Sequence, residues 1–262
     1  MKVFPVLMYH SISRASGPLR KLGVSPGLLA EQLGLLRSHG YELMGLTEAL
    51  ALTATDPSRA VVALTFDDGY RDFLDAAVPV LEAVGARATL YVPTMFVGGP
   101  ASWLGADAHS LPPLLSWSEL RDCVGAGCVE IGSHSHTHAH LDTLSVGELH
   151  AEVVHSKMLL EDGLHVPVRS FCYPHGYHSR PVRDAVRDAA YDNACEVGRR
   201  LRTAQHRWDI SRLAVEPTHA PERVLSDVGS GGPVIVPRAK RALQPAWRRV
   251  RRHSARKRSR VL

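Results

Sequence analysis

Residues 60–66 read AVVALTF, an unbroken apolar run that leads directly into Asp67-Asp68-Gly69. A half-buried strand would alternate polar and apolar residues, so a continuous run fits a strand buried on both faces, as in parallel sheets covered by helices. Such a strand needs helices to cover it and further strands to pair with, and the surrounding sequence supplies both. Residues 3–9 read as a first strand. Ser25-Pro26 then opens a helix as N-cap and first helical residue, with Leu28, Leu29, Leu33, Leu35 and Leu36 as its apolar stripe. That helix should stop near His39-Gly40. A second helix is expected over about residues 72–84, ending at Gly85, with a strand over 88–92. Ser116 with Glu119, and Ser145 with Glu148, have capping-box spacing. Residues 129–131, 170–173 and 210–215 complete the expected strands.

Strand, helix and strand in repetition imply parallel pairing through right-handed crossovers, and so an α/β barrel or open sheet. Chemistry in such folds sits at the carboxyl ends of the strands. The reactive residues fall there. His10 follows the first strand, Asp67-Asp68-Gly69 follows 60–66, a histidine cluster follows 129–131, and Pro174-His175-Gly176 follows 170–173.

Composition narrows the class. A chain of 262 residues, 45% hydrophobic and 22% charged, can bury a full core without disulfides, which excludes collagen, a disulfide mini-protein and a largely disordered polymer. No apolar run approaches the roughly 20 residues that span a bilayer. The opening MKVFPVLMYHSIS breaks at Tyr9 and His10, short of a secretory signal's apolar stretch, so a cytoplasmic location is expected. Cys123, Cys128, Cys172 and Cys195 form no CxxC pair and are expected as four reduced thiols. The net charge of +5 divides unevenly: residues 1–236 hold 20 Lys and Arg against 26 Asp and Glu, while 237–262 hold 11 bases and no acid. A body over 1–236 and a basic, disordered tail over 237–262 are therefore expected.

Adjacent carboxylates at a strand end can share one task only if the chain turns there, and they repel unless a cation or hydrogen bonds hold them. The segment Gly132-Ser133-His134-Ser135-His136-Thr137-His138-Ala139-His140 supplies histidines four apart. Two such pairs, His134/His138 and His136/His140, could each converge on a metal with a carboxylate as third ligand.

TFDDG at 65–69, EIGSHSHTH at 130–138 and FCYPHG at 171–176 resemble, in order and spacing, three motifs of the polysaccharide deacetylases (carbohydrate esterase family four, the NodB-homology domain). The resemblance covers roughly residues 3–216, and LMYHSI at 7–12 with the stretch after it is similar to the branch containing poly-N-acetylglucosamine deacetylases. It implies a deformed (β/α) barrel, a divalent metal that is usually zinc, and hydrolysis of the linear amide of an N-acetylated amino sugar in a polysaccharide, oligosaccharide or lipid-linked precursor. It assigns Asp67 as catalytic base and Asp68 as metal ligand. The flanking Gly-Ser and the later Leu141 make His134 and His138 the other two ligands, with His136 and His140 as neighbours. It points to the backbone N–H at Tyr173 for the oxyanion, with Pro174 and Gly176 shaping the loop.

The chain departs from the family pattern twice. Cys172 stands where an Arg usually braces the catalytic Asp; Arg212, in SRLAV after an expected edge strand, could supply that brace. No late Leu-x-His motif provides the usual general acid, so His10 is the expected substitute by position, ahead of His219 and His175. The alternative function is a catalytically impaired sugar-binding pseudoenzyme. The tail suits loose contact with an anionic membrane surface better than nucleic acid, because it lacks aromatic interleaving and any recognition motif. A third possibility places the function in the tail itself, as a membrane or nucleic-acid tether.

Overall fold

A computed structural model describes residues 4–15, 17–198 and 206–231. The expected tail over 237–262, the boundary at 236 and Val3 lie outside the described residues. The strands are β1 (Val6–Tyr9), β2 (Glu42–Met44), β3 (Val61–Phe66), β4 (Ala88–Val92), β5 (Val129–Ser133), β6 (Ser170–Cys172), β7 (Asn193–Gly198) and β8 (Ile210–Ala214). The α-helices are α1 (Pro26–Ser38), α2 (Leu46–Thr55), α3 (Val78–Ala83), α4 (Trp117–Gly125), α5 (Val146–Leu164), α6 (Arg180–Asp188) and α7 (Pro221–Ser230).

Every strand pairing is parallel. The order runs β1, β8, β7, β6, β5, β4, β3, and β1 pairs again with β3, so seven strands close a barrel. β2 stays outside the ring and pairs with the first half of β3. The last two residues of β3 pair with β4 instead.

Strand periodicity divides the buried residues into two cores. Val62, Leu64, Phe66, Leu90, Val92, Ile131, Phe171, Ala194 and Leu213 point outward and pack with the helices. Their alternate neighbours Val6, Val61, Ala63, Tyr91, Cys172, Cys195 and Ile210 point into the barrel, where Leu46, Ala49 and Leu50 of α2 join them. All six residues of β3 are buried, as an unbroken apolar run requires.

Both capping boxes form, at Ser116/Glu119 and Ser145/Glu148. Ser25 caps α1 by accepting from Leu28 N–H. In α1, Leu29, Leu33 and Leu36 are buried, whereas Leu28 and Leu35 are only partly covered and Gln32 takes an interior place. The helix expected over 72–84 is instead a π turn, Phe73–Ala77, followed by the short α3. Pro79 explains the break, because it has no N–H for the carbonyl four residues back and its ring clashes there.

Three further boundaries and identities differ from the sequence reading. The first strand begins at Val6, after Pro5, which cannot donate to a ladder. β2 and β7 were not expected. β8 pairs with β7 on one side and β1 on the other, so it is a closing strand and not the expected edge.

Candidate functional site

The carboxyl ends of the strands meet at one mouth of the barrel. Asp67 leaves β3 there with only 2% of its surface exposed, and its N–H donates to Tyr9 O (3.0 Å). Arg212 reaches it from β8. Its Nη1 donates to Asp67 Oδ1 (2.6 Å) and its Nη2 to Oδ2 (2.7 Å), a bidentate pair with the guanidinium fully buried. Arg212 also donates to Thr65 Oγ1 (3.0 Å), to Glu196 O (3.1 Å) and to Cys172 Sγ (3.0 Å). Cys172 lies 3.6 Å from Asp67 Oδ2. Burial by itself would push the Asp67 carboxyl up, but the Arg212 charge and hydrogen bonds outweigh it and hold the group below its usual range.

Asp68 turns away from Asp67 by adopting a left-handed backbone, φ +74°. Its Oδ1 lies 3.4 Å from His134 Nε2 and 3.3 Å from His138 Nε2. These separations exceed the usual 2.7–2.9 Å or so of a charged N–H···O contact. They fit the spacing of about 3.3–3.4 Å between ligand atoms around tetrahedral zinc with bonds near 2.0–2.1 Å. The histidine chemistry agrees. His134 Nδ1 donates to the Cys172 carbonyl (2.9 Å), which can only accept, so the proton sits on Nδ1 and the Nε2 lone pair faces Asp68. Burial by itself would raise the Asp68 carboxyl, but the adjoining imidazoles of His134 and His138 outweigh it and hold the group well below the usual carboxylate range. The donor set Asp68, His134 and His138 therefore fits a divalent metal.

The loop carrying the histidines is fixed from three sides. Ser133 Oγ accepts from Ser135 N–H (3.2 Å), and Ser135 Oγ accepts from His138 N–H (3.1 Å). Glu152, buried on α5, accepts from the His136 and Thr137 amides (2.9 and 2.8 Å) and from the Thr137 hydroxyl. Ser135 and His138 both hold left-handed backbone, which these contacts stabilise. The alternative pair separates: His136 Nδ1 bonds Thr94 Oγ1 (2.8 Å), while His140 packs its ring on His175 at 4.1 Å.

The other expected residues fall as follows. His10 is partly buried at the end of β1, near enough for its charge to favour ionisation of Asp67 and Asp68. His175 packs edge-on to His138 at 4.6 Å; burial, then the neighbouring imidazoles, push its pKa down to about 2, so it is a neutral ring. His219 is tied into its own turn, with Nδ1 accepting from Glu216 N–H (3.4 Å) and its carbonyl accepting from Gln32 Nε2 (2.7 Å). Pro174 is buried at the loop's start. Gly176 has φ +73°, and a Cβ there would lie 2.7 Å from Val197 N and Cβ, so the position admits only glycine. Tyr173 is a correction. Its N–H donates to Cys195 O (3.1 Å), extending the β6–β7 ladder, and its hydroxyl donates to Trp208 O (2.9 Å). Neither group is left for an oxyanion.

Three residues of the site escaped the sequence reading. Trp103 stacks on His138, with centroids 4.4 Å apart and planes at 24°. Tyr70 is fully buried, and burial followed by the Asp68 charge keeps its phenol protonated far above neutral pH. Glu152 is the third. Tyr70 alone had a signal, its place directly after Asp67-Asp68-Gly69.

Fold and site together define a closed parallel barrel that carries a His₂Asp donor set beside an ion-paired carboxylate. The family model for polysaccharide deacetylases matches residues 54–194, more than half the chain, and the chain belongs to that family. It is 28% identical over 217 residues to YxkH of Bacillus subtilis (strain 168), named as a candidate polysaccharide deacetylase; the match covers 81% of this chain and 71% of that protein. Over 153 residues it is 28% identical to the poly-beta-1,6-N-acetyl-D-glucosamine N-deacetylase of Escherichia coli (strain K12), covering 56% of this chain but 23% of that relative. The fold is similar to that of the Streptococcus pyogenes deacetylase PplD in complex with acetate, with TM-score 0.74 and 24% identity over 89% of this chain and 100% of that one.

Proposed function

We propose that this chain is a metal-dependent hydrolase that removes N-acetyl groups from an amino-sugar glycan or its precursor. The observation that carries the reading is the carboxylate Asp67, held ionised and oriented by Arg212 beside the donor set Asp68, His134 and His138. A zinc ion on those three residues would act as a Lewis acid toward the acetyl carbonyl and the attacking water. Asp67 takes a proton from that water, and the Arg212 fork keeps the receiving oxygens in place without being able to give up a proton itself. His10, at the end of β1, would return a proton to the leaving amine. The Arg212–Asp67 pair also weighs against the pseudoenzyme reading, since the guanidinium missing at position 172 arrives from β8.

The test is acetate release from a panel of N-acetylglucosamine glycans, using wild type and Asp67→Asn, each metal-stripped and then reloaded with zinc. Release that needs metal and drops by about 10³-fold or more in the variant is the expected result. Silence of zinc-loaded wild type across polymer, oligosaccharide and lipid-linked substrates would sink it.

A further inference from the structure

We propose that a cavity beside the barrel mouth, between the β1–α1 and β8–α7 connections, is a subsite for a phosphate group carried by the N-acetylated substrate; this rests on the deacetylase reading above. The cavity measures about 550 Å³ and is lined by Arg14, Arg20 and Lys21, with Glu216 as its one acid. Both connections follow the carboxyl ends of strands, so the cavity opens on the same face as Asp67 and Asp68.

Three properties point to an anion. Arg14, Arg20 and Lys21 are exposed and enter no ion pair among the described residues, and the remaining residues of the chain contain no Asp or Glu to neutralise them. They stand on a body that is otherwise acidic, with 26 Asp and Glu against 20 Lys and Arg over 1–236. Ser25 and Leu28, at the N-terminus of the 13-residue α1, form another wall, and no acid in that helix's first turn offsets its positive end. Two guanidinium forks and an ammonium around one space suit a tetrahedral anion with several acceptor oxygens.

The bases sit on a pinned segment. Ser11 N–H donates to Leu22 O (3.1 Å) and Val24 N–H to Ser11 O (3.0 Å), while the Ser11 hydroxyl bonds buried Asp72. The chain closes so tightly that a Cβ on Gly23 would lie 2.5 Å from Ala15 Cβ and 2.8 Å from Ser13 O. Arg20 and Lys21 project from the 3₁₀ turn Gly17–Leu22 within this closed loop. The cavity wall is thus built before any ligand arrives, which reduces the ordering entropy on binding.

The experiment uses the full zinc-loaded chain and calorimetric titration with two probes, N-acetylglucosamine 1-phosphate and uncharged methyl N-acetylglucosaminide. Wild type should bind the phosphorylated sugar about tenfold more tightly, with inorganic phosphate competing. The triple variant Arg14→Gln, Arg20→Gln, Lys21→Gln should bring the two affinities to near parity, with its circular dichroism unchanged because all three side chains are exposed. A phosphate preference that survives in the variant would assign it to the metal or the basic tail and overturn the subsite, as would no preference in wild type. Because binding is read directly, a confirmed preference without acetate release from any substrate would remove the deacetylase reading and leave the anion site standing.

Discussion

Asp67 and Arg212 form an ion pair at the mouth of the barrel, and both are buried. Removing one partner of such a pair leaves an uncompensated buried charge, at a cost of about 3–5 kcal/mol. The pH dependence follows from the direction of the Asp67 shift. The folded carboxyl lies below its unfolded value of about 3.9, so its contribution is complete above that pH and fades as pH falls through the folded value. Urea midpoints of wild type and Asp67→Asn should therefore differ most near pH 7 and converge as the pH falls below the ordinary carboxylate range; a gap that stays constant with pH contradicts the assignment. Trp103 makes a separate contribution. Its indole lies flat on His138, an aromatic contact worth about 0.5–1.5 kcal/mol beyond buried area. Trp103→Ala should weaken zinc binding about three- to tenfold in chelator competition, and unchanged affinity would reduce Trp103 to a cover. Residues such as Asp68 and His134 were legible because they lie in short contiguous motifs. Trp103 and Glu152 were not, because each meets the loop only after the chain has folded back on itself.

Among the elements, α5 has a second task beyond covering the sheet. Its Glu152 accepts three hydrogen bonds from the histidine loop, so helix and loop are rigid together. Glu152→Ala strands two partly buried amides, each worth about 1–3 kcal/mol, and should cost about 2–3 kcal/mol in chemical denaturation. A loss under 1 kcal/mol would show that water replaces the carboxylate. The elements read best from sequence were those with local signals: the capping boxes of α4 and α5, and the unbroken apolar run of β3. β7 failed that reading because Asn193 stands on its inward face beside Cys195 and Glu196 on the other, so neither face reads as a clean apolar pattern. β2 is only three residues long. The π turn before α3 reflects Pro79, whose effect on a helical pattern is to widen the turn and not to end it.

For the whole molecule, β3 and β5 flank β4 in the barrel, and the donors that follow them lie within 4.8 Å of one another. A metal that binds only this folded arrangement stabilises it by mass action. Chelation should lower the Tm of wild type and leave that of Asp68→Asn unmoved, read by calorimetry with and without excess chelator. Equal shifts in both would mean that the chelator acts elsewhere. The parallel barrel itself was legible, since strand and helix alternate and reactive residues follow strands. What was not legible was which strand closes the ring, because pairing between β1 and β8 joins segments some two hundred residues apart.

That closure has a consequence in time. Asp67 and Arg212 stand 145 positions apart in the chain. During synthesis at about 5–20 residues per second, the carboxylate is made roughly seven to thirty seconds before its counter-charge exists. Until β8 docks, a nascent chain holds its histidines and carboxylates without the arginine that orients Asp67, so the ordered carboxylate is a late product of folding. The same seam run backwards makes β8 a point of failure: a molecule that lost only this strand would keep most of its barrel and lose the arginine that orients Asp67.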